Sequence, residues 1–206
     1  VASLTERVAR RYLRMRGFQS RDIETSVGTA HVLEAKGQGS LPPLVLLHGF
    51  GASGVQMLPI MLRLQKHTRR LVVPDLPGHG FSDIPEGAEP ADSLKAGLFE
   101  TLDHMMDESM VLFGNSMGDY AAITYAVERP EHVDRLILCS PGGAHMGQEE
   151  LDEFRKVFNV DSHNDALEFV DRLLGKRSPF RHAMALSVRR RLSLPHLQKL
   201  MASVTP

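Results

Sequence analysis

Apolar runs and apolar residues at helical spacing alternate through the chain. Val1, Leu4, Val8 and Tyr12 recur at roughly helical spacing, and Arg7, Arg10, Arg11, Arg14 and Arg16 stand against the single acid Glu6. This predicts a basic helix within residues 1–20. The apolar stripe is narrow, which favours a helix packed on the domain with a solvated arginine face over one touching a membrane surface. Residues 22–27 and 30–35 then read as a β-hairpin about Gly28-Thr29. Pro43 to His48 and Arg70 to Pro74 are short, nearly continuous apolar runs, the pattern of strands covered on both faces. Met110 to Phe113 and Leu136 to Cys139 read as further strands. Helical spacing lies between them, over Met57 to Leu64, Leu94 to Met106 and Tyr120 to Glu128; Arg129-Pro130 stops the last. Strands alternating with helices predict an α/β fold, a mostly parallel sheet with helices on both faces, over residues 21–144.

Beyond the glycine-rich segment Ser140 to Ala144 the strand signals stop. Residues 151–158, 166–174, 182–192 and 196–201 all read as helices, with Asp161-Ser162 and Ser178-Pro179 as starts. Residues 145–206 therefore form a separate helical region. Its apolar residues, Leu167, Phe169, Val170, Leu173 and Leu174 among them, suit either ordinary core packing or an acyl-binding wall.

Composition narrows the class. Of the 206 residues, 42% are hydrophobic and 24% charged, which excludes a disordered or fibrous chain. Lys and Arg number 24 against 25 Asp and Glu, a net charge of -1 that does not favour nucleic acid as a partner. The single cysteine, Cys139, cannot form an internal disulfide and asks for no oxidising compartment. The segment before Leu4 lacks the apolar core of a secretory signal, and a cytoplasmic location is expected.

The candidate chemistry lies in Gly114-Asn115-Ser116-Met117-Gly118, a G-x-S-x-G between a predicted strand and a predicted helix. So tight a turn forces strained backbone angles on Ser116 and small residues at both glycine positions. The strain lifts the hydroxyl off the sheet and sets it at a helix N-terminus, where amide dipoles favour developing negative charge. The bland alternative is a serine that merely caps the helix. His48-Gly49-Phe50-Gly51 follows the strand that ends at Leu47. A turn there can aim the Phe50 N–H at the same point as the Met117 N–H, forming an oxyanion hole. His79, in Asp75-Leu76-Pro77-Gly78-His79-Gly80, reads as structural, its ring bonding nearby backbone.

In this order and spacing, His48 to Phe50, Asp75 to Ser82 and Gly114 to Gly118 resemble the α/β-hydrolase superfamily over about residues 25–145. With Ser140 to Ala144 and the helical stretch, they are similar to its monoacylglycerol-lipase-like and esterase members and, less specifically, to its carbon–carbon bond hydrolases. The resemblance implies Ser116 as nucleophile, Phe50 and Met117 as oxyanion donors, and His48 and Gly49 beside the substrate. It also implies a small-molecule ester or lipid substrate, no metal or organic cofactor, and a cap formed by residues 145–206.

Two departures stand out. The superfamily's acid and histidine follow the cap, and the histidines after Ser116 are His132, His145, His163, His182 and His196, none in a loop after a late strand. The segment Ser203 to Pro206 resembles the lead-in to another strand. The strand ending at Cys139 is then expected to be an uncovered sheet edge that pairs with a missing C-terminal part of a longer polypeptide or with another chain. The second departure is Asp119, where the superfamily usually has glycine; a carboxylate there is expected to lower activity or to mark a catalytically inactive binding protein.

Overall fold

The protein is described by a computed structural model over residues 2–86, 89–140, 142 and 145–205. It divides into two compact units, Val1–Ala144 and His145–Pro206.

The first unit contains helices α1 (Leu4–Met15), α2 (Leu58–Leu64), α3 (Pro90–Met105) and α4 (Met117–Glu128). Its strands are β1 (Gln19–Thr25), β2 (Gly28–Lys36), β3 (Leu44–Leu47), β4 (Arg70–Pro74), β5 (Met110–Asn115) and β6 (Val133–Cys139). They form one sheet in the order β1-β2-β4-β3-β5-β6. The hairpin β1–β2 and the β2–β4 pair are antiparallel, while β4–β3, β3–β5 and β5–β6 are parallel. The apolar runs predicted to be covered on both faces are so: all four residues of β3 are buried, as are Leu71, Val72 and Val73 of β4.

Five local expectations shift. The hairpin turns at Ser26-Val27 rather than Gly28-Thr29, because Gly28, at φ 118, pairs with Thr25. Helix α3 starts at Pro90, whose ring suits a first helical turn, and α4 starts at Met117, directly after the turn. Strand β6 begins at Val133; its polar Asp134 and Arg135 hide its first half from a reading of apolar runs. Helix α1 buries a different face from the one its stripe indicated. Leu13 and Glu6 are inside, with Leu13 and Phe18 in a core shared with Leu33, Leu46 and Met61, while Leu4, Val8, Tyr12 and Met15 are exposed.

The expected uncovered edge is present at β6, which pairs with β5 alone among the described residues. Its consecutive Leu136, Ile137 and Leu138 are 36%, 47% and 40% exposed. Of the segment Ser140 to Ala144, residues Pro141, Gly143 and Ala144 lie outside the described residues, as does Pro206 at the chain end.

The second unit is helical: α5 (Gln148–Phe158), α6 (His163–Leu174), α7 (Arg181–Leu192) and α8 (Pro195–Ala202). Ser162 caps α6 reciprocally with Asp165, and Gly175 ends it in the left-handed conformation at φ 62. Leu151, Ala166, Val170, Ala185 and Leu192 are buried, and the Phe158 ring packs at a tilt 5.1 Å from Phe154 and edge-on 5.8 Å from Phe169. Val170 therefore belongs to ordinary core, whereas Leu173 of the same helix is exposed.

Candidate active site

The turn between β5 and α4 is as sharp as its glycine spacing requires. Ser116 stands at φ 54 and ψ -113, a conformation that costs a non-glycine residue roughly 1–3 kcal/mol. A Cβ on Gly114 would lie 2.5 Å from both the amide nitrogen and the Cα of Asp119. One on Gly118 would collide with the Leu47 carbonyl at the end of β3. The two glycines thus let α4 start hard against two strands. The turn is tied to the neighbouring strand end: the Ser116 N–H (3.2 Å) and the Asn115 side-chain amide (3.1 Å) both donate to the Cys139 carbonyl. The Ser116 carbonyl accepts from the N–H groups of Asp119, Tyr120 and Gly142.

Ser116 occupies the N-cap position of α4 without a side-chain cap hydrogen bond, so its hydroxyl does not do the work of a capping serine. The residue is half-buried. No hydrogen bond joins its hydroxyl to a histidine among the described residues. Met117 is the first residue of α4, so its N–H is among the amides that a helix start leaves without an intrahelical acceptor.

The loop after β3 abuts this turn. A Cβ on Gly49 would touch the Ser116 Cβ at 3.4 Å and the Asn115 carbonyl oxygen at 3.3 Å, so Gly49 is a direct neighbour of the serine. Phe50 follows it, its ring edge-on to His79 at 6.2 Å. The buried His48 ring uses both nitrogens on backbone: Nδ1–H donates to the Gly49 carbonyl (2.9 Å), and Nε2 accepts from the Leu76 N–H (3.0 Å). These bonds fix its tautomer and clamp the loop after β3 to the loop after β4. His79 is buried and its Nδ1–H donates to the Pro77 carbonyl at 3.0 Å, the backbone role its sequence position indicated.

Sequence reasoning missed the hub beneath these loops. Asp75, buried just past β4, accepts from the Gly54 N–H (2.6 Å) on Oδ1, and from the Phe81 N–H (3.0 Å) and His31 Nδ1 (2.9 Å) on Oδ2. Burial pushes its carboxyl up, but the His31 bond, the neighbouring His48 and His31 rings and the Phe81 amide outweigh that and hold it below the usual aspartate range. The available signal was a carboxylate directly after an apolar strand, which has to find donors. Asp119 contrasts with it. The side chain is fully buried, Oδ1 accepts from the Cys139 N–H at 2.9 Å, and Oδ2 has no partner among the described residues. Burial raises its carboxyl, and the Cys139 and Ser116 amides only partly oppose that. Among the described residues no group of three His, Cys, Asp or Glu side chains could hold a metal ion.

A profile of the alpha/beta hydrolase fold family matches residues 42–204, and the chain belongs to that family. It is 34% identical over 119 residues to a mouse (Lyso)-N-acylphosphatidylethanolamine lipase, covering 55% of this chain and 34% of that one. It is 33% identical over 109 residues to a 2-hydroxy-6-oxo-2,4-heptadienoate hydrolase of Pseudomonas putida, covering 51% of this chain and 39% of that one. The fold is also similar to that of a Bacillus subtilis carboxylesterase, with a TM-score of 0.70 and 20% identity over 98% of this chain and 70% of the other. The matched segment spans only 23% to 39% of the length of such curated relatives.

Proposed function

We propose that the chain is the nucleophile-bearing part of a serine hydrolase that cleaves carboxylic esters through an acyl-enzyme on Ser116. The observation that carries the reading is the strained Ser116, at φ 54, heading a helix without capping it. Neither fold nor stability requires a serine at such a backbone angle; a nucleophile presented at a helix N-terminus accounts for it.

In the proposed reaction the Ser116 oxygen attacks the ester carbonyl while a base takes its proton. The Phe50 and Met117 N–H groups stabilise the tetrahedral oxyanion, each worth about 3–4 kcal/mol where such donors have been tested. Collapse expels the alcohol, which takes up the proton, and water then hydrolyses the acyl-enzyme. The resemblance puts the base, a histidine, after the helical stretch. Gly49 lines the acyl site, and His48 acts on substrate only by bracing the loop that carries Gly49 and Phe50. Residues 145–206 serve as the cap, and the cytoplasmic location read from the sequence belongs to the same proposal.

The similarity to a 2-hydroxy-6-oxo-2,4-heptadienoate hydrolase supports a second reading, a carbon–carbon bond hydrolase with the same nucleophile. The buried Asp119 carboxylate beside the turn supports a third, an inactive binding protein. A fluorophosphonate probe applied to the polypeptide that carries the proposed base, and to its Ser116→Ala variant, separates activated from inert. Labelling that disappears in Ser116→Ala is expected; a polypeptide that stays unlabelled favours the binding protein. Comparing aryl-ester with oxo-dienoate turnover then separates the two hydrolases.

A further inference from the structure

Helix α1 turns an apolar stripe outward. Leu4, Val8, Tyr12 and Met15 follow one another in steps of four, four and three residues, which stacks them along one helix face. They are 77%, 62%, 39% and 73% exposed. The opposite face is committed to the fold through Leu13 and Glu6.

The charge beside this stripe has one sign. Arg7, Arg11 and Arg14, all exposed, run along its flank at the same helical spacing, and none is in a salt bridge among the described residues. The only acid of the helix does not offset them. Glu6 is buried, and its oxygens accept from the Ser53 hydroxyl (2.5 Å) and from the Ser3 N–H and hydroxyl (2.8 Å each). Arg10 lies over the Phe81 ring at 3.9 Å, which helps hold the helix in this rotation. Past the helix end the basic residues are mostly paired: Arg21 and Arg70 with Glu34, and Arg69 with Glu108, so the unpaired charge is concentrated on the helix itself.

An exposed apolar stripe edged by unpaired arginines matches one environment well: the boundary between acyl chains and anionic headgroups. Water leaves the stripe unsatisfied. A second copy of the same face would bring arginines against arginines. We infer that α1 is a membrane-docking helix, lying in the plane of an anionic bilayer with Leu4, Val8, Tyr12 and Met15 among the acyl chains and Arg7, Arg11 and Arg14 at the phosphates. The inference is independent of any hydrolytic activity.

The chain contains no tryptophan, so Met15→Trp supplies a single fluorescent reporter on the stripe. With vesicles of equimolar phosphatidylcholine and phosphatidylserine its emission shifts to the blue and brominated lipid quenches it; with phosphatidylcholine alone neither occurs. In flotation with the same vesicles, Val8→Asp lowers partitioning by roughly tenfold. The Arg7→Glu, Arg11→Glu double variant lowers it by at least about tenfold, and salt weakens the unsubstituted chain in the same direction. These side chains are exposed and take no part in the Ser3–Glu6 cap, so circular dichroism of the variants is unchanged. Three results overturn the inference: binding to neither vesicle, equal binding to both, or self-association that Val8→Asp abolishes, which would make a second copy the occupant.

Discussion

Two aspartates, one just past β4 and one in the first turn of the helix after β5, on either side of β3, are both buried and treated in opposite ways. Asp75, after β4, receives Gly54, Phe81 and His31 on its two oxygens and is held below the usual aspartate range. Asp119, in the first turn after β5, receives one amide from β6 and is pushed above it. Burial raises both carboxyls; Asp75 has donors enough to reverse that, and Asp119 does not. The loops after β3 and β4 are thus locked together by a satisfied charge. The turn carrying Ser116 has beneath it a carboxyl group that burial makes harder to ionise.

The sharpest way to break this contrast is to delete each carboxylate. Asp75→Ala strands three donors, one of them on a buried histidine, and is expected to cost about 3–5 kcal/mol in urea unfolding. Asp119→Ala removes one acceptor together with a disfavoured charge and should cost far less. Equal losses would end the distinction.

A smaller effect appears in the pH dependence. Asp75 contributes stability that is present above the ordinary aspartate value of 3.8 and is lost as pH falls through its depressed folded value. Asp119 does the reverse: its contribution is present below 3.8 and is lost as pH rises through its elevated folded value. Asp119→Asn keeps an acceptor for the Cys139 amide and removes the charge. It should stabilise the chain at neutral pH, with the gain vanishing in acid. An equal difference across the whole range would show that Asp119 does not titrate as described.

The smallest effect concerns the strain over Asp119. Ser116→Gly relieves the positive φ but adds unfolded-chain entropy, for a net gain of a few tenths to about 1 kcal/mol in the unfolding midpoint. On the proposed function the same substitution is also expected to remove fluorophosphonate labelling. A loss of stability would mean that the serine side chain contributes packing the turn needs.

Much of this was legible because it is local. The runs in β3, β4 and β5 identify buried strands, and the spacing of Gly114 and Gly118 anticipates the strained serine between them. The start of α3 was less legible because Ala91, Asp92 and Ser93 show no apolar periodicity, and the start of β6 because Asp134 and Arg135 face solvent at an edge. The two edges of the sheet differ accordingly. Strand β1 has Ile23 as its single buried residue among polar ones, as a solvated edge should, whereas β6 exposes three consecutive apolar residues.

The sequence by itself determined the alternation of strands and helices, the division of the chain near residue 145, and the turn that presents Ser116. Each depends on periodicity or on collisions within a few residues, which no distant contact alters. Only the tertiary structure decided the ionisation of Asp75 and Asp119, the backbone role of His48 and the face that α1 turns outward. Those outcomes rest on partners such as His31 for Asp75, Leu76 for His48, Cys139 for Asp119 and Ser53 for Glu6, which folding brings together from remote parts of the chain. A buried polar group takes whichever donors or acceptors the packed chain places within reach, and the one-dimensional pattern does not encode which those are.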